Sequence, residues 1–214
     1  MARITVIGGT GYAGGNIVRE AAARGHEVTA VSRSVPSEAV EGVTYVAADV
    51  RDAEALRSAV AGAEVVVGAL APRGPLEGEL RGLMGTLAAE AQAAGARLGV
   101  VGGAGSLLVA EGGPTVSSGP EFPEAFKAEA EEMGAVLADL RASDAALDWF
   151  LVSPAASFGA WAPGEHTGTF RLGGDVLLTD AAGESSISGA DFAHAFVDEI
   201  ERPAHRRERF TVAY

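Results

Sequence analysis

The chain opens with a short apolar segment that leads through a glycine-rich turn into a helix-forming segment. Residues 8–14 read Gly-Gly-Thr-Gly-Tyr-Ala-Gly, which fits both G-x-G-x-x-G and G-x-x-G-x-x-G. Glycine is needed there because a side chain would block the tight turn, the approach of backbone N–H groups to a pyrophosphate, and the packing of helix on strand. The pattern predicts a dinucleotide site at the start of the first helix. Its expected members are Gly8, Thr10, Gly11, Tyr12 and Ala13.

The end of the next strand indicates which dinucleotide the site prefers. A site for NAD usually places Asp or Glu there, where the carboxylate binds the ribose 2′-hydroxyl. This chain has Ser32, Arg33 and Ser34 instead, after a strand predicted at residues 26–33. A guanidinium can bind a 2′-phosphate with two parallel hydrogen bonds. The sequence therefore favours NADP(H) and leaves NAD(H) possible; the alternative is that Arg33 is a solvated loop cation.

Composition narrows the class of protein. With 214 residues, 48% of them hydrophobic, the chain suits one globular α/β unit. A net charge of −13 argues against a nucleic-acid partner. The absence of cysteine excludes disulfides and thiolate chemistry, and four scattered histidines give little basis for a metal site. No apolar run is long enough to cross a bilayer and no leader precedes the first strand, so we expect a cytoplasmic protein.

Strand-like and helix-like segments alternate along the chain. Further strands are predicted at residues 43–47, 64–70, 97–102 and 148–153, and helices at residues 12–24, 52–61, 76–94 and 123–142. Such alternation predicts an α/β fold of the Rossmann type, a doubly wound parallel sheet with helices on both faces.

Small or apolar residues follow three of these strands. Ligands of doubly wound sheets lie beyond the carboxyl ends of the strands, where small residues let a flat ring approach the backbone. The predicted cofactor contacts there are Ala69, Leu70, Ala71, Gly102, Gly103, Ser153, Pro154 and Ala155. Small residues also permit tight turns, and that interpretation stays open. After the third strand, Asp49 is expected to accept from an adenine amino group, and Val50 to stack on the ring.

Taken together, these features resemble a known family. The glycine turn, Ser32-Arg33, Asp49-Val50 and the segments 147–149, 153–156, 163–175, 187–193 and 209–214 are similar to the atypical, NAD(P)H-binding branch of the short-chain dehydrogenase/reductase superfamily. The closer likeness is to the NADH-flavin reductase group, related to biliverdin-IXβ reductase and to the nitrogen-regulator-like proteins. The resemblance implies a Rossmann core at residues 1–156 and a small C-terminal α+β subdomain at residues 157–214 that closes over the cofactor.

The C-terminal region carries its own predictions. Residues 169–172 and 176–178 flank Gly-Gly-Asp and suit a hairpin. Asp191 is expected to cap a helix that reaches about Glu201. His166 and Phe158 are the candidate substrate contacts, with a solvated His166 as the alternative.

The chain departs from the superfamily at its usual proton donor. Typical members use Tyr-x-x-x-Lys, but the tyrosines here stand only at positions 12, 45 and 214, and Phe122 occupies the corresponding region. Because phenylalanine cannot transfer a proton, alcohol dehydrogenation by that mechanism is disfavoured. Lys127, the sole lysine, is a candidate for the ribose contact, or else forms an exposed pair with Glu131. Ser106 is the second catalytic candidate.

Two classes of function follow from the sequence. The first is NADPH-dependent reduction of a flavin, quinone or similar planar acceptor by direct hydride transfer. The second is a non-catalytic NADP(H)-binding sensor of the nitrogen-regulator-like type. Sugar-nucleotide epimerisation or dehydration is a weaker third, since the tyrosine is missing and the C-terminal region is short. The expected partner is a small planar molecule, with no nucleic acid or membrane, and the expected state is a monomer or homodimer.

Overall fold

Eight strands form one sheet in the computed structural model, which describes residues 1–214. The strands are β1 (Arg3–Ile7), β2 (Glu27–Ser32), β3 (Val43–Ala47), β4 (Val65–Gly68), β5 (Arg97–Val101), β6 (Trp149–Ser153), β7 (Arg171–Gly173) and β8 (Glu208–Ala213). The helices are α1 (Tyr12–Ala23), α2 (Ala53–Val60), α3 (Leu80–Ala94), α4 (Lys127–Ala142) and α5 (Gly189–Glu201).

The sheet order is β3-β2-β1-β4-β5-β6-β8-β7, and every pair is parallel except β7 with β8. This confirms the α/β, doubly wound fold predicted from the sequence. The order reverses between β1 and β4, where Ile7 is level with Val31 on one side and Gly68 on the other. In such sheets the crevice at the reversal is the place for a ligand, so the topology puts the glycine turn after β1 at the centre of the candidate site.

The strands are apolar on both faces because helices cover both. On one face, Ile4 and Val6 pack with α1 and α5, and on the other Ile7 packs with α2, α3 and α4. Residues 157–214 supply β7, β8 and α5, so they complete the same sheet and the same core. The division at residue 156 remains a prediction about function. No helix combines the length and the apolar character needed to cross a membrane.

Two helices begin later than the sequence predicts. Short 3₁₀ turns at Gly74–Leu76 and Glu124–Phe126 precede α3 and α4. The start of α3 is set from outside its own sequence, because the carboxylate of Glu132 on α4 accepts the N–H groups of Gly78 and Arg81, at 2.9 Å each. A cap supplied by a distant residue is invisible to local pattern reading.

The predicted hairpin at residues 169–178 is wrong. Strand β7 pairs with β8 in antiparallel register, with Leu172 opposite Val212, and not with residues 176–178. The glycine-rich connection turns instead toward the loop after β5. There Leu108 donates to the carbonyl of Asp175 at 2.8 Å and accepts from Leu177 at 2.9 Å. A long-range partner therefore outcompetes the local turn.

Candidate functional site

The glycines of the turn have separable physical roles. A Cβ on Gly8 would overlap the carbonyl oxygen of Ala69, and one on Gly14 would overlap the carbonyl oxygen of Gly8. Gly8 also has a φ of 85°, which favours glycine. A Cβ on Gly11 would meet only one atom, 3.3 Å away, and this residue is exposed. Gly8 and Gly14 therefore hold strand against helix, whereas Gly11 keeps open the space in front of the helix.

The N-terminus of α1 is suited to an anion. Its N-cap is Gly11, no side chain caps it, and its first turn contains no acidic residue. By contrast, the side chain of Asp52 caps α2 and that of Ser188 caps α5. Helix N-termini carry unsatisfied N–H groups and a partial positive charge. The predicted pyrophosphate contact at the glycine turn thus has both the open space and the donors that it needs.

Arg33 is the one arginine of the fifteen in this chain that makes no hydrogen bond or ion pair within the protein. It is exposed just after β2, where the hydroxyl of Ser32 donates to the carbonyl of Ser34 at 2.7 Å and shapes the turn. Nearby, Arg51 hydrogen-bonds Asp49 and lowers the pKa of its carboxyl group to about 2. The guanidinium of Arg33 is therefore free for an outside anion, while the carboxylate of Asp49 already has a partner.

Val50 lies differently from the expectation. It is buried in the core between the sheet and its covering helices, so little of it is open for stacking. Its contact with an adenine, like that of Asp49, stays a prediction.

The ends of β5 and β6 meet at an unpaired hydroxyl. Ser153 is fully buried, and its Oγ has no hydrogen-bond partner. A Cβ on Gly102 would come within 3.3 Å of that oxygen and would overlap the side chain of Leu151. Leaving a buried hydroxyl unpaired costs about 1–3 kcal/mol, so such groups usually serve a ligand or a water. The other predicted contacts at these strand ends differ in solvent exposure. Ala71 is exposed, Ala69, Leu70 and Gly103 are half-buried, and Pro154 and Ala155 are buried.

A cleft of about 580 Å³ lies beside the glycine turn. One wall is the segment after β6, residues 159–169, which we call the strap. The cleft is lined by Gly9, Thr10, Gly11, Tyr12, Gly15, Asn16 and Arg19, by Pro36, Glu38, Val40 and Tyr45, and by Ala160, Pro163, Gly164, His166, Ser188, Gly189 and Ala190. It brings together the predicted Thr10, Gly11, Tyr12 and His166. The predicted strand-end residues lie outside its lining.

Asp191 holds the strap in place. Its buried carboxylate accepts from the N–H groups of Thr167 and Gly168, at 2.8 Å each, and from the hydroxyl of Tyr214 at 2.6 Å. Burial alone would raise the pKa of Asp191, but these hydrogen bonds outweigh it and hold the pKa well below its usual range. Nδ1 of His166 lies 2.7 Å from the same carboxylate.

The prediction that Asp191 caps α5 is wrong. The cap is Ser188, whose hydroxyl accepts from the N–H of Asp191 at 3.0 Å. Ser-x-x-Asp is a capping-box pattern, so the sequence carried a signal for the correct cap.

Tyr12 joins the glycine turn to the strap. Its hydroxyl accepts from the N–H of Gly189 at 3.0 Å and donates to the carbonyl of Pro163 at 3.4 Å. Its ring meets the edge of Phe158 at 5.3 Å, and Phe158 lies 4.6 Å from Phe192. Phe158 is thus packed between two rings, whereas the side chain of His166 is 55% exposed at the cleft. The substrate roles of both stay predictions.

The two catalytic candidates lie away from the lining of the cleft. The hydroxyl of Ser106 accepts from Arg209 at 2.9 Å, and Arg209 also binds Asp175. The amine of Lys127 is 2.6 Å from the carboxylate of Glu124, so its partner is Glu124 and not the expected Glu131. Each has a partner of its own within the fold, and a catalytic role for either stays a prediction.

Several residues of the cleft are absent from the sequence-based prediction. Asn16 and Arg19 lie four and seven residues after Tyr12, so helical periodicity would have placed them on the same face of α1. Tyr45 could not be found in this way, because it lies on β3, far along the chain from α1. Its hydroxyl accepts from the N–H of Val40, in the loop after β2, at 3.3 Å.

Comparison with known proteins also indicates an NAD(P)H-binding protein. A family model described as NAD(P)H-binding matches residues 8–203. A "putative exported protein" of Burkholderia pseudomallei is 40% identical, with both chains covered completely and a TM-score of 0.87. A "putative epimerase" of Bacteroides thetaiotaomicron is 34% identical over 100% of this chain and 97% of its own, with a TM-score of 0.89. A "putative NADH-flavin reductase" of Streptococcus pneumoniae is 34% identical over 100% of this chain and 99% of its own, with a TM-score of 0.84.

Proposed function

This chain belongs to the NAD(P)H-binding family. We propose that it is an NADPH-dependent reductase of a planar acceptor such as a flavin or a quinone. The observation that carries the proposal is the uncapped N-terminus of α1 beside the open Gly11, with the unpaired Arg33 at the end of the neighbouring strand. Together they offer donors for a pyrophosphate and a guanidinium for a further phosphate. The relative from Streptococcus pneumoniae supports the class of acceptor.

The residues present fit the cofactor. The first-turn N–H groups of α1 would hold the pyrophosphate, and Arg33 would bind the 2′-phosphate that distinguishes NADP from NAD. The unpaired hydroxyl of Ser153, beside Gly102, would receive a polar group of the nicotinamide end. When bound, the reduced dinucleotide supplies a hydride.

The protein's own contribution is position and the exclusion of water. No tyrosine begins a Tyr-x-x-x-Lys pair, and the amine of Lys127 is engaged by Glu124. An acceptor that needs no proton donor from the protein suits this site better than an aldehyde or a ketone. The absence of a Tyr-x-x-x-Lys pair also disfavours epimerisation, although the relative from Bacteroides thetaiotaomicron is described as a "putative epimerase".

A sensor of the NADP(H) pool is the second candidate. The observation that favours it is Tyr12, which links the cofactor turn directly to the strap through Pro163 and Gly189. Occupancy of the turn could thereby be transmitted to the surface of the protein.

The test measures whether the purified protein oxidises NADPH in the presence of riboflavin, FMN or a quinone. The oxidation is monitored as a decrease in the absorbance of the reduced nicotinamide. We expect turnover with at least one ring acceptor and none with simple aldehydes or ketones. Tight NADPH binding without turnover would favour the sensor. Failure to bind either dinucleotide would overturn both candidates.

We also propose that the protein acts in the cytoplasm as a monomer or homodimer, without a nucleic-acid or membrane partner. The net charge of −13 and the absence of cysteine support this. Fractionation and light scattering are the corresponding measurements.

A further inference from the structure

Four of the fifteen arginines in this chain make no ion pair with an acidic side chain, and they are of two kinds. Arg171 and Arg207 each donate to several main-chain oxygens, which explains their place in the fold. Arg33 has no partner, and Arg19 donates one N–H to the side-chain oxygen of Asn16, at 2.9 Å. Arg19 therefore presents a guanidinium that the protein itself hardly uses, on the exposed side of α1.

The guanidinium of Arg19 lies back along α1, toward the glycine turn. Its Nη1 would be 3.7 Å from a Cβ placed on Gly15, and that Cβ would be 3.7 Å from the carbonyl oxygen of Gly9. Because Gly15 has no side chain, the space between the guanidinium and the turn stays open at that point. Arg19 and Gly15 accordingly line the same cleft as Gly9, Thr10 and Gly11. An arginine from the second turn of the helix thus brings its charge back toward the first turn.

The end of β2 lies against the same turn. The carbonyl of Val31 accepts from the N–H groups of Gly8 and Gly9, at 2.9 and 3.2 Å. Arg33 follows two residues later, and the loop that continues from it contributes another wall of the cleft. The two arginines that the protein leaves free or nearly free therefore flank the glycine turn, one from α1 and one from β2.

We propose that Arg19 is a second cation for the 2′-phosphate of NADPH and, with Arg33, sets the preference for NADPH over NADH. The inference rests on the proposed function, in which the pyrophosphate binds at the glycine turn and the 2′-phosphate beside Arg33. A phosphate monoester carries nearly two negative charges and three acceptor oxygens, whereas one guanidinium fork binds two oxygens. The unused N–H groups of Arg19 would bind the oxygen and the charge that Arg33 leaves unsatisfied. NADH has a hydroxyl at this position and gains little from a second cation.

Glu38 is the competing partner of Arg19. Its exposed carboxylate belongs to the loop after β2 and lines the same cleft. An ion pair across the cleft would tie that loop to α1, although in the structure Arg19 bonds Asn16 instead. The two roles differ in their consequence. Loss of a tie to the loop would weaken NADPH and NADH alike, whereas loss of a phosphate contact would weaken NADPH alone.

The experiment measures, by calorimetric titration of the wild type and Arg19→Ala, the affinities for NADPH, NADH, adenosine 2′,5′-bisphosphate and ADP. We expect roughly 3- to 30-fold weaker binding of the two ligands with a 2′-phosphate, between the effects of an exposed ion pair and of a charge-assisted hydrogen bond. NADH and ADP should bind as before. Arg19→Lys, which keeps the charge, should retain part of the affinity, and high salt should reduce the difference between the variants. Arg57→Ala removes an exposed helical arginine paired with Glu90 and should change none of the four affinities.

The outcomes separate this inference from the proposed function. If Arg19→Ala binds NADPH and the bisphosphate normally, while the wild type prefers NADPH and reduces a flavin or a quinone, the second cation is wrong and the reductase function stands. Equal weakening of NADPH and NADH would also overturn the inference, and the same result with Glu38→Gln would assign Arg19 to the loop. If the wild type binds NADH as tightly as NADPH, the inference and the NADPH dependence of the proposed function fail together.

Discussion

Arg33 is informative because its guanidinium has no partner within the protein. The other fourteen arginines are engaged by carboxylates, carbonyls, a hydroxyl or an amide of the same chain, and several of them bridge distant elements. Arg33 alone keeps its hydrogen-bonding capacity for something outside the protein. Its position was predictable from the distance to the glycine turn, but its freedom was not, because pairing depends on the whole fold.

Replacing Arg33 with alanine should weaken NADPH binding and leave NADH binding nearly unchanged. Charge-assisted hydrogen bonds to a phosphate contribute about 1.5–3 kcal/mol, which corresponds to roughly 10- to 150-fold in the dissociation constant. Calorimetric titration with each dinucleotide measures the difference. Arg57→Ala is the matched control, since Arg57 is an exposed arginine paired with Glu90. Equal weakening of NADPH and NADH by Arg33→Ala would contradict a 2′-phosphate contact.

At the scale of elements, the strap depends on the start of α5. Three residues of the strap, from 166 to 168, contact the carboxylate of Asp191. The hydroxyl of Tyr214 donates to the same carboxylate and also lies 2.8 Å from the carbonyl oxygen of Glu165. A segment without secondary structure of its own is thus ordered by a buried charge.

Asp191→Asn should destabilise the protein by about 1–3 kcal/mol and expose the strap to proteases. An asparagine has one acceptor oxygen in place of two, and its amide N–H groups would face backbone donors. The folded-state pKa of Asp191 lies below the unfolded value of about 3.9. Its contribution is therefore complete above about pH 4, and is lost as the pH falls through the folded pKa.

Denaturant unfolding of the wild type and of Asp191→Asn as a function of pH tests this. The difference in stability should be constant near neutral pH and should shrink below about pH 4. Asp139→Asn, which alters an exposed pair with Arg81, is the control and should have little effect. A difference independent of pH down to acid unfolding would refute the role of the charge.

The sequence determined the elements well where local pattern sufficed. Strand β3 has the predicted bounds, α2 begins after the predicted cap Asp52, and α3 ends before Gly95, which has the left-handed φ of 68° expected of a helix-terminating glycine. The sequence-based prediction failed where a residue far along the chain determines the local structure. The examples are the pairing of β7, the start of α3 and the wall of the cleft that the loop after β2 forms. The candidate site divides in the same way: the glycine turn was predictable, and the strap's attachment to α5 was not.

A buried ion pair connects the C-terminal helix α5 to β5 in the middle of the sheet. Arg97 on β5 binds Glu199 on α5 at 2.6 Å, and the two side chains are only 9% and 4% exposed. Arg97 also donates to the carbonyl of His205, before β8, and lies 4.4 Å above the ring of Phe150. Hydrogen bonds from Arg97 and His205 outweigh the effect of burial and lower the pKa of Glu199.

Glu199→Gln should reduce the free energy of unfolding by about 3 kcal/mol, because it leaves the buried guanidinium of Arg97 with only the partly exposed Asp148, 3.4 Å from its Nε, as a counter-charge. Urea unfolding measures the loss. The control Glu124→Gln removes the exposed partner of Lys127 and should cost less than about 1 kcal/mol. A comparable loss in both variants would mean that burial of the pair is unimportant.

The position of β8 has a consequence for biosynthesis. In space β8 lies between β6 and β7, although it follows both along the chain. As the polypeptide leaves the ribosome, β1 to β6 can assemble in turn, but β7 has no partner and one edge of β6 stays open until residues 208–213 emerge. Translation proceeds at about 5–20 residues per second. Synthesis of the roughly 35 residues between β7 and β8 therefore leaves this edge of β6 without a pairing strand for about 2–7 seconds. During that interval the open edge of β6 is the part of the nascent protein most exposed to chaperones and to pairing with other chains.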